Sequence, residues 1–227
     1  MNPVVIGNAT LYLGDAREIG PALQADAVVS DPPYGQGYVH SGHGRAVSNN
    51  ATSKAYRRHR EAVVGDEAPF DPSPLLAMAP EVILWGAHRF ADKLPPGTWL
   101  VWDKVPTGKK RAQGDGEAAW KNDQPPRAMR IIRHLWDGVC VADRDDLAEG
   151  RVHPMQKPVT VMSWCIAMTS GATIADPYMG SGSTGVAAIR AGRRFIGIEI
   201  DERHFATACR RIEDAQRQGD LLLRAGA

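Results

Sequence analysis

The chain is poor in residues that would settle its class by covalent or membrane constraint. Cysteine occurs three times in 227 residues, at Cys140, Cys165 and Cys209, odd in number and widely spaced. That argues against a disulfide framework or a Cys-x-x-Cys metal site and fits a reducing, cytoplasmic setting. No apolar run approaches the roughly 20 residues that span a bilayer. No basic stretch followed by an apolar one opens the chain, so neither a membrane partner nor a signal peptide is expected. There is no internal repeat, and a net charge of +1 carries no global polyanion signature. The length does suffice for one well-buried core, so a single domain over 1–227 with loop insertions is expected.

Charge is unevenly spread. Residues 36–60 hold Arg45, Lys54, Arg57, Arg58 and Arg60 with three histidines and no acid. Apolar periodicity is absent there, and the segment reads as a long mobile loop, a type that is uncommon in compact domains unless functional or disordered. A second basic stretch runs from Lys104 to Arg133 and includes Lys109, Lys110 and Arg111. Both stretches suit phosphate contact, although a solvated loop would look the same.

Strand and helix signals alternate along the rest. Strands are expected at 9–14, 26–30, 81–85, 98–102, 173–175 and 194–200, with one or two more within 130–141. Helices are expected at 16–24, 75–78, 158–169, 183–191 and 202–216. Residues 104–127 read as polar loop. The alternation implies an α/β fold with a doubly wound, mostly parallel sheet of Rossmann-like type.

Two segments at expected strand ends carry chemistry. The first, Asp31-Pro32-Pro33-Tyr34-Gly35, follows the apolar run Ala27-Val28-Val29. An exocyclic amine on an aromatic base is a poor nucleophile, because its lone pair is delocalised into the ring. A carboxylate and a fixed carbonyl that accept its two hydrogens would aim that lone pair. Two prolines lock the backbone and hold the Pro32 carbonyl outward, and Tyr34 offers a stacking face for an extruded base. A plain proline turn is the alternative.

The second, Asp176-Pro177-Tyr178-Met179-Gly180-Ser181-Gly182-Ser183-Thr184, is a glycine-rich turn opening a helix. Gly180 and Gly182 would let the backbone approach a ligand, and the helix start offers N–H groups to an anion. Glu199 stands 17 residues beyond Gly182 at the next strand end, placed for the hydroxyls of a ribose. Without Glu199 a simple strand–helix connection would explain the turn.

Together these residues resemble the amino-methyltransferases of DNA, which join a DPPY motif to a glycine-rich cofactor motif. The DPPY segment comes first here, which matches the permuted β group. Gly14-Asp15-Ala16 looks like that group's adenine-contacting segment, and His153-Pro154-Met155-Gln156-Lys157-Pro158 like its HPTQKP segment, with Met155 in place of threonine. Ile83-Leu84-Trp85-Gly86, Trp99 to Lys104 and Glu117 to Trp120 resemble small phage and prophage DNA methylases. Tyr178 stands where the group usually has phenylalanine.

The resemblance implies an S-adenosyl-L-methionine-dependent DNA methyltransferase acting on an exocyclic amine. Aspartate at position 31 favours adenine N6; cytosine N4 is the alternative, and a non-catalytic DNA-binding relative is a second. Asp31, Pro32, Pro33 and Tyr34 would form the catalytic segment. Asp15, Ala16, Asp176 to Thr184, Glu199, Ile200 and Lys157 would hold the cofactor, and no metal is implied. Double-stranded DNA is the expected partner, with a homodimer and a cognate restriction nuclease as further candidates. Target recognition is expected within 104–152, where about 48 residues leave room for few base contacts.

Overall fold

A computed structural model describes residues 2–35, 66, 68–106, 108, 114–137, 140–141 and 156–225. They fall into two compact units, one formed by 1–32 with 71–227 and the other by 33–70.

The larger unit is built on a nine-stranded sheet. Its strands are β1 (Val4–Ile6), β2 (Ala9–Leu13), β3 (Ala27–Ser30), β4 (Glu81–Trp85), β5 (Thr98–Asp103), β6 (Gly116–Lys121), β7 (Arg130–Arg133), β10 (Thr173–Asp176) and β11 (Arg194–Glu199). Two short strands, β8 (Trp136–Asp137) and β9 (Cys140–Val141), pair separately. The order across the sheet is β1-β2-β11-β10-β3-β4-β6-β5-β7. The five neighbours β2, β11, β10, β3 and β4 are parallel. β1 and β6 run against their neighbours.

Every residue of β3 and β10 is buried. A parallel sheet is covered on both faces, so the apolar residues of these strands do not alternate with exposed polar ones, and the polar Ser30, Thr173 and Asp176 are buried with them. Burial of each large aliphatic side chain contributes about 1.5–3 kcal/mol. The α-helices among the described residues are α1 (Ala16–Ile19), α2 (Ser73–Met78), α3 (Val159–Ile166), α4 (Ser183–Arg190) and α5 (Glu202–Ala225). Among them α4 packs on both α3 and α5. No helix among the described residues is long and apolar enough to cross a membrane.

The expected mostly parallel, Rossmann-like sheet is therefore present, with differences at its edges. β1 was not expected; three residues are too few for a periodic signal, and its Val4 and Val5 are exposed. The expected helix over 16–24 is one α-turn followed by a 3-10 turn at Gly20–Ala22, where Pro21 cannot continue the α pattern. The largest difference is β6. The segment 104–127 reads as polar, yet Gly116–Lys121 pairs with both β4 and β5. Its charged ends hide the strand: Glu117 is paired with Lys104 and Lys157, and Lys121 with Asp123.

The smaller unit contributes few described residues. The Gly35 N–H donates to Asp66 Oδ1 at 2.7 Å. Gly35 has φ +72°, and a Cβ there would sit 2.3 Å from the Ala68 carbonyl oxygen, so the position demands glycine. The expected mobile loop over 36–60 lies outside the described residues.

Candidate active site

The order of the parallel strands assembles the site. From β3 the chain continues to β4 on one side, and from β10 to β11 on the other. The switch in strand order thus falls between β10 and β3, where open α/β sheets bind ligands beyond the carboxyl ends. Asp31 follows β3, the Asp176 turn closes β10, Glu199 ends β11 and Gly14-Asp15 follows β2. Four segments far apart in sequence therefore become neighbours along one sheet edge.

One hydrogen bond ties the two principal segments together. Ser30 Oγ, immediately before Asp31, donates to Asp176 Oδ1 at 2.6 Å. Thr184 Oγ1 donates to Asp176 Oδ2 at 2.6 Å, and the Tyr178 N–H to Oδ1 at 3.1 Å. Asp176 is buried, and both its oxygens are engaged inside the protein. Its part is to brace the turn. Burial pushes its pKa up to about 6, against the pull of Ser30 and Thr184.

That shift makes a stability prediction. Folded Asp176 keeps its proton to about pH 6, whereas an ordinary aspartate gives it up near 3.8. The folded state thus binds more protons in that window, and the contribution, present below pH 3.8, is lost as pH rises through 6. Relative to Asp176→Asn, wild-type stability should fall by up to about 3 kcal/mol between roughly pH 4 and pH 7. Urea unfolding of both proteins across that range measures it; a difference independent of pH would contradict it.

The glycine-rich turn uses its glycines differently. At Gly182 (φ +83°) a Cβ would lie 2.9 Å from the Ala208 side chain of α5, so that glycine serves helix packing. At Gly180 (φ +52°) a Cβ would meet nothing within 4 Å, so only Gly180 borders open space. The turn is pinned by Met179 N–H to the Ile198 carbonyl at 3.0 Å. It is also braced by Arg211, a buried residue of α5 whose Nη1 donates to the Ser181 carbonyl at 2.7 Å and reaches Ser183 Oγ at 3.2 Å.

Glu199 closes this half. Its Oε2 accepts the Gly180 N–H at 2.9 Å and its Oε1 the Asp201 N–H at 2.9 Å. Each carboxylate oxygen can accept two bonds, so one acceptor site per oxygen fits a vicinal diol. Burial raises the Glu199 pKa above its ordinary value. The Gly14 N–H donates to the Glu199 carbonyl at 2.9 Å, which sets Asp15 beside it. Asp15 caps α1 through the Arg17 N–H at 2.8 Å, and the Arg17 side chain holds its carboxyl below the usual range.

The other half is organised around Asp31. Lys157 Nζ donates to Asp31 Oδ2 and lies 3.0 Å from Glu117 Oε2. Glu117 Oε1 in turn accepts from Lys104 Nζ. Two tryptophans, edge to face with ring centroids 6.3 Å apart, underlie the two lysines. Lys157 sits 5.8 Å from the Trp85 ring centre, and Lys104 4.8 Å from that of Trp102. The two lysines hold Glu117 at a pKa of about 2 despite its burial. Burial lowers the Lys104 pKa, with Glu117 opposing.

Asp31 and Pro32 belong to the larger unit, whereas Pro33 and Tyr34 open the smaller one. Of the residues expected to hold a cofactor, the structure gathers Asp15, Ala16, Asp176 to Thr184, Glu199 and Ile200 along the β2, β11 and β10 ends. It places Lys157 against Asp31 instead. Arg45, Lys54, Arg57, Arg58, Arg60, Lys109, Lys110 and Arg111 lie outside the described residues. Ser30, Lys104, Glu117 and Arg211 were not singled out from sequence as site residues. Lys104 and Glu117 lie in segments that carry the resemblance, and Arg211 stands as a charge at core spacing beside Ala208 and Ile212.

Known proteins resemble this chain in sequence and in fold. A family model for N6/N4 DNA methylases matches residues 76–210. The DNA adenine methyltransferase YhdJ of Escherichia coli (strain K12) is 37% identical over 112 residues, 48% of this chain and 36% of that protein. The type II methyltransferase M2.DpnII of Streptococcus pneumoniae is 44% identical over 84 residues, 36% of this chain and 31% of that protein. The matched stretch spans about a third of the length of these curated relatives. Among solved structures, the M1.HpyAVI–SAM complex superposes with a TM-score of 0.53 at 20% identity, covering 89% of this chain and 99% of the other. The cytosine-N4-specific PvuII DNA methyltransferase gives 0.54 at 14% identity, covering 94% and 93%.

Proposed function

Because the chain belongs to the N6/N4 DNA methylase family, we propose that it transfers the methyl group of S-adenosyl-L-methionine to adenine N6 of double-stranded DNA. The observation that carries the reading is the Ser30–Asp176 hydrogen bond at the strand-order switch. It locks the amine-binding and cofactor-binding segments edge to edge. The motif order matches the permuted β arrangement of DPPY enzymes.

S-adenosyl-L-methionine brings a methyl group already activated by its sulfonium, so the residues of the chain bind, orient and take up one proton. Glu199 takes the ribose hydroxyls, with Gly180 leaving the turn open beside it. The N–H groups at the start of α4 favour the carboxylate end of the cofactor. Asp31 and the Pro32 carbonyl accept the two amine hydrogens and turn the nitrogen lone pair toward the methyl group. Tyr34 stacks on the flipped base. The methylated nitrogen then sheds one proton, and the Asp31 carboxylate is the base beside it. Holding amine and methyl in line supplies much of the rate.

Aspartate at position 31 and the resemblance to YhdJ support adenine. Residues 104–152 and the basic segment 36–60 are our candidates for DNA contact. A homodimer and a cognate nuclease are partners to be sought by sedimentation and by co-purification. The test of function is expression in a host without its own DNA methylases, followed by nucleoside mass spectrometry. N6-methyladenine is expected. N4-methylcytosine as the sole new base would move the target but keep the chemistry, and no new methylated base would reject the reading.

A further inference from the structure

Lys157 stands between two carboxylates, and the second is not explained by the reaction. Lys157 is 6% exposed and pairs with Asp31 on one side and Glu117 on the other. Glu117 does not share an element with either partner. It projects from β6, opposite Trp102 in the ladder with β5, and its two oxygens are divided between two lysines, Oε1 to Lys104 and Oε2 to Lys157.

Among the described residues the four groups form one row of opposite charges. Asp31, Lys157, Glu117 and Lys104 alternate in sign, two anions against two cations. A largely buried ammonium is stable only with close opposite charge, and breaking one such pair is costly because a charge is left uncompensated. With Glu117 neutral, Lys104 and Lys157 would face each other across the gap it fills, and of the two anions in this row Asp31 would remain. Lysine hangs on a flexible four-carbon stem. It would turn away from its like-charged neighbour or lose its proton, and either change releases Asp31.

We propose that Glu117 is a positioning residue for the amine half of the site: it grips Lys157 from behind so that Lys157 fixes the Asp31 carboxylate. Trp85 and Trp102 form the floor on which the two lysines lie, which restricts them to this geometry. The inference rests on the reading of Asp31 as the amine acceptor. It also assigns Lys157 to the amine and not to the cofactor.

The test is a double-variant cycle. Glu117→Gln keeps the size and removes the charge; Lys157→Met removes the group through which Glu117 acts. Methyl transfer to DNA at saturating substrates and cofactor affinity by calorimetry are measured for wild type, both single variants and the double. Glu117→Gln should lower kcat about ten- to a hundred-fold, with the KM for DNA and the cofactor Kd within about twofold. In the Lys157→Met background the same change should cost nothing further, because the path through Lys157 is gone. Penalties that multiply would make Glu117 act independently and overturn the proposal. So would an unchanged kcat, or a raised cofactor Kd in Lys157→Met. If Glu117→Gln does not fold, Glu117→Asp reads the same cycle: one carbon shorter, it cannot reach both lysines and should lose about tenfold. If wild type transfers no methyl group, the functional reading fails, but the grip is still measurable. Pulsed acetylation with mass spectrometry should modify Lys157 at least tenfold faster in Glu117→Gln than in wild type, and equal rates would refute the grip itself.

Discussion

Asp31→Ala should reduce methyl transfer by at least about a hundred-fold, within the range typical for removing a group that handles a proton in the transition state. Cofactor binding should survive. The residue lies at the end of β3, on the far side of the Ser30–Asp176 tie from Glu199, so its loss leaves the glycine-rich turn intact. The change removes one of the two anions beside Lys157, while Glu117 still compensates that charge. Some stability should be lost, but the fold should hold. Calorimetry with S-adenosyl-L-methionine gives the affinity, and transfer of labelled methyl to DNA gives the rate. Asp31→Asn, which keeps an acceptor oxygen, should recover part of the lost rate. Near wild-type transfer by Asp31→Ala would remove the residue from the mechanism.

Glu199→Ala should act on the other half and weaken S-adenosyl-L-methionine binding by about one to three orders of magnitude. Hydrogen bonds to a charged acceptor contribute roughly 1.5–3 kcal/mol each, and water would compensate in part. The structure adds a second cause. Glu199 also holds the N–H groups of Gly180 and Asp201, so its loss frees the turn it should help to shape. Glu199→Gln retains one acceptor oxygen and should fall between wild type and alanine. Because burial raises the Glu199 pKa and the diol needs an acceptor, affinity should also decline toward acidic pH in wild type and much less in the glutamine variant. An unchanged dissociation constant would place the ribose elsewhere.

The residues legible in the sequence were those whose role depends on local spacing. Asp31 and Glu199 each follow or end a run read as a strand, and Gly180-Ser181-Gly182 reads as a turn. A parallel sheet puts all such ends on one edge, so the strand pattern already brings the two candidate segments together. What was hidden depends on pairs distant in sequence. Ser30 and Asp176 are 146 residues apart, and nothing in either segment announces the other. Glu117 was masked because a strand that buries charge as ion pairs loses the apolar signature by which strands are found. The same pairing moved Lys157: by motif it stood with the cofactor, but its partners come from β6 and the β3 end. The role of Gly182 shifted for a similar reason, since Ala208 arrives from a helix 26 positions downstream.

The central claim is that two separable halves meet at the junction of β3 and β10. It is tested most directly by single-turnover methyl transfer with Asp31→Ala and Glu199→Ala, each followed as a function of cofactor concentration. At saturating S-adenosyl-L-methionine the Glu199 variant should regain a rate close to wild type, whereas the Asp31 variant should stay slow at every concentration. If both recover on saturation, or neither does, the two residues do not divide the site as its geometry divides them.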